Sequence, residues 1–143
     1  MLSNTSKYAI RAVIYLTLYS SSEKKVGIKE ISSKLDIPTP FLGKILQLLA
    51  KQNILSSTKG PHGGFSLNKP SMDISIMEII EIIDGSDSFD GCVIRTTKCS
   101  HDAPCSLHDK ISRLRSEMKN VYMTETLADL ASEYRQDKNR IRI

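Results

Sequence analysis

The chain has 143 residues, 40% hydrophobic and 25% charged, with a net charge of +4. That length supports one domain with a buried core, the composition is that of an ordinary soluble protein, and the mild positive charge permits nucleic acid as a partner. Three cysteines is an odd count, which excludes a full disulfide framework and favours a reducing, cytoplasmic setting.

Tyr8, Ala12, Tyr15, Leu16 and Tyr19 recur at helical spacing and predict an amphipathic helix over 6–20. Lys7 and Arg11 ahead of the uncharged run 12–22 mimic a short signal peptide, but no A-x-A cleavage site follows. No stretch approaches membrane-spanning length, so no membrane partner is expected. Ile28, Ile31 and Leu35 predict a short second helix over 29–36. Asp36-Ile37-Pro38 closes it, because the residue before a proline avoids the helical region. Thr39 as N-cap and Pro40 at the first helical position then open a third helix over 40–52.

The apolar face of that helix reads as Phe41, Leu42, Ile45, Leu48 and Leu49, and the opposite stripe, Pro40, Gly43, Lys44, Gln47 and Lys51, carries no acid. A short helix, a tight turn and a helix with a basic outer face match a helix-turn-helix, although an ordinary solvated surface has the same pattern. The next segment separates the two. Residues 54–58 read as a strand, 59–64 as a glycine-rich turn and 65–67 as a returning strand, which together make a wing. Lys59 and His62 sit at its tip among glycines that let backbone approach a phosphate closely. Candidate DNA contacts are therefore Thr39, Pro40, Gly43, Lys44, Gln47 and Lys51 on the third helix, with Lys59, His62, Gly63 and Gly64 on the wing.

Ser75 and Glu78 form a capping-box signature for a fourth helix, with Ile76, Ile79, Ile80 and Ile83 on its apolar face and Gly85 as its stop. Residues 91–108, GCVIRTTKCSHDAPCSLH, then hold every cysteine of the chain, Cys92, Cys99 and Cys105, with His108 three residues after the last. Three thiolates and an imidazole form a ligand set for a metal or an iron–sulfur cluster, and free thiols in a loop are the alternative. Structural zinc sites present a tight C-x2-4-C knuckle, which this spacing lacks, whereas iron–sulfur clusters accept wider gaps and a histidine ligand.

Pro104 predicts the start of a fifth helix over 104–122. Cys105 would then lie in its first turn, where the helix dipole favours a thiolate, on one face with His108. His101 and Asp102 are rival fourth ligands in the loop. Leu107, Ile111, Leu114, Met118 and Val121 are spaced four, three, four and three, a heptad seam suited to a homodimer or to intramolecular packing. A sixth helix is expected over 124–134, burying Leu127, Leu130 and Ala131, and the basic tail 135–143 is read as disordered. The expected fold is mostly α. A winged helix-turn-helix unit (1–85) precedes a cysteine-rich ligand loop (86–104), a dimerisation helix with a short C-terminal helix (105–134) and the tail. No nucleophile–base pair, phosphate cradle or acid pair is present, so neither an enzyme nor a small-molecule substrate is expected.

Three stretches together, LSNTSKYAIRAVIYLT, IPTPFLGKILQLLAKQNILSSTKGPHGGFSL with its K-G-P-x-G-G-F wing, and the three-cysteine loop, resemble the Rrf2 family of bacterial transcription regulators. The resemblance covers nearly the whole chain. It implies a dimeric winged-helix protein on a palindromic double-stranded DNA operator, with an iron–sulfur cluster in several members. Carried over, Cys92, Cys99 and Cys105 match the cluster cysteines, and His108 matches the histidine ligand of the member that monitors cluster biogenesis and holds a 2Fe-2S centre. The nitric-oxide-sensing members instead use an aspartate where this chain has Lys7, which as a cation does not ligate. The expected function is a cluster-controlled DNA-binding regulator. The alternatives are the same regulator with zinc or free thiols, or a non-DNA-binding iron–sulfur carrier.

Overall fold

Ser3 opens α1 (Asn4–Tyr19), accepting a hydrogen bond from the Ser6 amide at 3.0 Å and donating its own hydroxyl to Asp84. This satisfies one of the N–H groups a helix start leaves unpaired. The computed structural model describes residues 2–137. Ala9, Ala12, Val13 and Leu16 are fully buried, making α1 the post against which the other helices pack. Tyr19, expected on that buried stripe, is exposed and packs on the Tyr15 ring at 4.6 Å. The Tyr15 hydroxyl donates to Glu30 at 2.9 Å. Burial and then that carboxylate push its pKa up to about 12, so it remains a neutral donor joining α1 to the next helix.

Asp36, in the left-handed region at φ 54°, closes α2 (Ile28–Leu35). The following helix, α3 (Thr39–Lys51), has Pro38 as its N-cap. Thr39 is therefore not the cap the sequence suggests. Its hydroxyl donates to Ser32 of α2 at 2.9 Å and is not available to the α3 amides. The buried sector of α3 is Leu42, Ile45, Leu46 and Leu49, a strict i, i+3, i+4, i+7 stripe, so Phe41 and Leu48 fall outside it at 39% and 37% exposed.

Antiparallel strands β1 (Leu55–Thr58) and β2 (Gly64–Leu67) form the wing, with Leu55 opposite Leu67 and Thr58 opposite Gly64. Val26 bridges to Phe65 through two backbone hydrogen bonds of 2.9 and 2.8 Å, which tie the wing to the entrance of α2. Lys25 adds side-chain bonds to Ser56 and Ser66 at 2.7 and 2.8 Å. Ser75 caps α4 (Ile76–Asp84) by accepting from the Glu78 amide at 3.1 Å. Lys69 takes the Glu78 carboxylate at 2.6 Å, so the reciprocal half of the expected capping box does not form.

The fifth helix, α5 (His108–Thr124), begins at 108 and not at 104. The Arg95 guanidinium holds the Ala103 carbonyl at 3.1 Å, and the Cys105 carbonyl accepts the His108 amide at 2.9 Å in a turn. Cys105 is therefore outside the helix, and the dipole argument for its thiolate does not apply. A full capping box of Thr126 and Asp129 opens α6 (Leu127–Gln136), which returns to the head and buries Leu127 and Ala131. The starts of α4 and α6 are joined by Ile76 N–H to the Glu125 carbonyl and Leu127 N–H to the Ile74 carbonyl, both 3.0 Å. Arg135 and Gln136, read from sequence as tail, complete α6, and 138–143 lie outside the described residues. The described residues are mostly helical with one two-stranded sheet, a winged-helix architecture.

Candidate nucleic-acid interface and cysteine loop

Thr39, Pro40, Lys44, Gln47 and Lys51 all stand exposed on α3, and Lys59 and His62 stand exposed at the wing tip. Gly43 differs. It is half-buried where α2 and α3 cross, and a Cβ there would lie 3.3 Å from Ile28 Cδ1, a tight contact that Ile28 would have to shift slightly to relieve. Two wing glycines are demanded by the protein itself. A Cβ at Gly63 would stand 2.2 Å from the Thr58 carbonyl oxygen, and one at Gly64, where φ is +150°, 2.4 Å from that of Val26. Sequence reasoning assigned both to phosphate approach and had no signal for these packing roles.

An antiparallel bridge between Gly91 and Lys98 closes the cysteine loop. Within it the Cys92 amide bonds the Thr97 carbonyl at 3.0 Å and the Cys99 amide the Asp90 carbonyl at 2.7 Å. Two cations of α5 hold the loop down: Arg115 donates to the Gly91 carbonyl at 2.8 Å, and Lys119 pairs with Asp90 at 3.0 Å while lying 5.7 Å from the Phe89 ring centre. All three cysteines are free and half-buried.

Of the four donors named from sequence, Cys99 and His108 are in contact, with Cys99 Sγ 3.1 Å from His108 Nδ1, while Cys92 Sγ accepts from the Arg95 amide at 3.4 Å. Among the described residues no three His, Cys, Asp or Glu side chains converge as ligands of a single metal ion. His101, a rival ligand by sequence, lies against His108 Nε2 at 3.0 Å, whereas no contact brings the Asp102 side chain to this set. Backbone amides of Arg95 and Ile94 hold the Cys92 thiol below its usual pKa, Cys105 and the Arg95 charge adding to the effect. The buried residue of α5 is His108 at 5% exposed. Leu107, Leu114 and Val121 of the heptad seam are 40%, 60% and 53% exposed, with Ile111 and Met118 half-buried between them. Ile111, Leu114 and Met118 line a groove of about 590 Å³ together with Phe89, Cys92 and Val93.

Residues 2–133 match the family model for Rrf2, described as iron-dependent transcriptional regulators. The chain belongs to the Rrf2 family. Among its relatives, an Aquifex aeolicus protein named as an HTH-type transcriptional regulator is 37% identical over 130 residues, covering 90% of this chain and 89% of that protein. The HTH-type transcriptional regulator IscR of Photobacterium profundum is 26% identical over 138 residues, covering 90% of this chain and 76% of its own. The structure of CymR, the global cysteine regulator of B. subtilis, superposes with a TM-score of 0.75 at 22% identity, covering 93% of this chain and 97% of the other, and shares the fold. As an Rrf2 protein the chain is a DNA-binding transcriptional regulator, and its relatives are regulators, not enzymes. No helix among the described residues is long and apolar enough to cross a membrane.

Proposed function

We propose that this Rrf2 protein acts in the cytoplasm as a homodimer whose affinity for a palindromic operator is controlled by a 2Fe-2S cluster held by Cys92, Cys99, Cys105 and His108. The observation that carries the reading is the contact of Cys99 Sγ with His108 Nδ1 at 3.1 Å, a thiol and an imidazole placed side by side in the loop that also holds Cys92 and Cys105. A two-iron centre takes two protein ligands on each iron and accepts imidazole among them. A single zinc ion needs four donors converging on one point, an arrangement not found among the described residues. When bound, the cluster supplies an oxidisable iron centre.

The chain's own residues do the rest. Thr39, Lys44 and Gln47 lie nearest base edges when α3 enters the major groove, Pro40 and Lys51 flank them, and Lys59, His62, Gly63 and Gly64 meet the backbone. The seam of Leu107, Ile111, Leu114, Met118 and Val121, exposed at its first, third and fifth positions, pairs with its twin, setting two recognition helices roughly 34 Å apart on DNA. Arg115 and Lys119 fasten the loop to that same helix, so a rearranged loop alters the geometry of the dimer.

The test is a visible spectrum with iron and sulfide assays on protein purified without oxygen. Charge-transfer bands with matching iron and sulfide, lost in Cys99→Ala, are expected. A colourless protein that cannot be reconstituted overturns the cluster reading. It leaves a thiol-based regulator, which the low pKa of Cys92 would then favour.

A further inference from the structure

His108 presents its two ring nitrogens to two different partners. Nδ1 lies 3.1 Å from Cys99 Sγ, and Nε2 lies 3.0 Å from Nδ1 of His101. The two imidazoles meet edge to face, at 78° with centroids 4.6 Å apart. Because the nitrogens sit on different sides of one flat ring, His101 does not share the Cys99 edge and is not a competing ligand there. His108 is 5% exposed, so an N–H on its Nε2 needs a hydrogen-bond partner. His101 is the side chain that meets it.

We propose that His101 is a positioning residue for His108. It accepts the Nε2 proton of His108 in a hydrogen bond, fixing the tautomer in which the Nδ1 lone pair is directed at Cys99. His101 keeps its own proton on Nε2. Ligating histidines bind an acceptor through their second N–H, and loss of that acceptor typically weakens metal binding by about 10- to 100-fold. The inference rests on the cluster reading for its consequence, but not for the tautomer itself.

The experiment compares wild type, His101→Ala and His101→Asn. Long-range ¹H–¹⁵N correlation spectra of the metal-free proteins read the His108 tautomer directly, and loss of iron and sulfide is timed after reconstitution. The expected result is a single Nε2–H tautomer in wild type and a mixture in His101→Ala. His101→Asn, whose amide oxygen can accept in place of Nδ1, should restore the single form. The reconstituted His101→Ala protein should bind its iron and sulfide about 10-fold or more weakly, and His101→Asn should regain most of that loss. An unchanged tautomer in His101→Ala, or no recovery in His101→Asn, overturns the proposal and leaves His101 a packing role only. If wild type takes up no iron or sulfide, the cluster reading fails on its own, and the tautomer comparison still decides the role of His101.

Discussion

Replacing Gly64 by alanine should detach the wing. The added methyl would stand 2.4 Å from the Val26 carbonyl oxygen and 2.6 Å from its carbon, both backbone atoms that cannot swing aside. Relief requires separating β2 from the strand-like segment at Val26, which breaks the two hydrogen bonds of 2.9 and 2.8 Å between Val26 and Phe65. Each such bond contributes about 1 kcal/mol. A non-glycine residue forced into this positive-φ conformation adds about 1–3 kcal/mol. The sum, roughly 3–5 kcal/mol, is a large share of a typical stability of about 5–15 kcal/mol. For a chain of this size it should lower the melting temperature on the order of 10 °C. Thermal unfolding followed by circular dichroism would measure it, with Ser57→Ala, an exposed wing substitution expected to stay within about 0.5 kcal/mol, as control. A Gly64→Ala protein that melts with wild type would refute the reasoning.

At the other end of the head, Ser3→Ala removes both the α1 cap and the hydroxyl donor to Asp84, leaving the Ser3 backbone N–H on the carboxylate, and should cost about 1–2 kcal/mol in urea unfolding. Burial pushes the Asp84 carboxyl up, but hydrogen bonds from the Ser3 hydroxyl and amide, with a smaller contribution from Ser6, help hold the group below its usual pKa. Its stabilising effect is therefore present above the ordinary carboxylate range and fades as pH falls through the lower folded value. Acid unfolding of Ser3→Ala should accordingly show a smaller loss of stability across that range than wild type shows. Leu114→Glu with Val121→Glu, at positions 60% and 53% exposed, should yield a monomer by sedimentation with helix content intact; an unchanged dimer would move the interface elsewhere. Lys51→Ala and Lys59→Ala should each reduce the salt dependence of operator binding by up to about one phosphate contact, a slope change near 0.9, without altering the melt. A slope identical to wild type in both would remove α3 and the wing from the interface.

Local signals carried most of the fold. Period-3.6 apolar spacing, the Ser75 cap, Gly85 and the glycine turn each concern residues a few positions apart, and the elements they announce are present. Where a local signal misled, a distant group had taken the side chain or backbone in question. Thr39 is bound to Ser32, Glu78 to Lys69, and Ala103 to Arg95, so one cap and one helix start moved and one capping box lost its reciprocal bond. The cap of α6 was legible as Thr126 with Asp129 three residues on, a signature overlooked beside the broader apolar pattern. In the cysteine loop, spacing named candidate donors but could not say which of them meet. The alignment of Cys99 with His108, and of His101 behind it, depends on the Gly91–Lys98 bridge and on α5, neither of which has a periodic imprint in the loop.

The backbone bonds that join residues 74–76 to 125–127 have a mechanical consequence. They pin the C-terminal end of α5 to the head, while its N-terminal end begins at His108 in the loop. A helix of 17 residues is about 25 Å long at roughly 1.5 Å per residue. With one end pinned it cannot slide, so it behaves as a lever whose fulcrum lies at the Thr126 end. A displacement of about 1 Å at the His108 end then becomes a tilt of about 2° over that length.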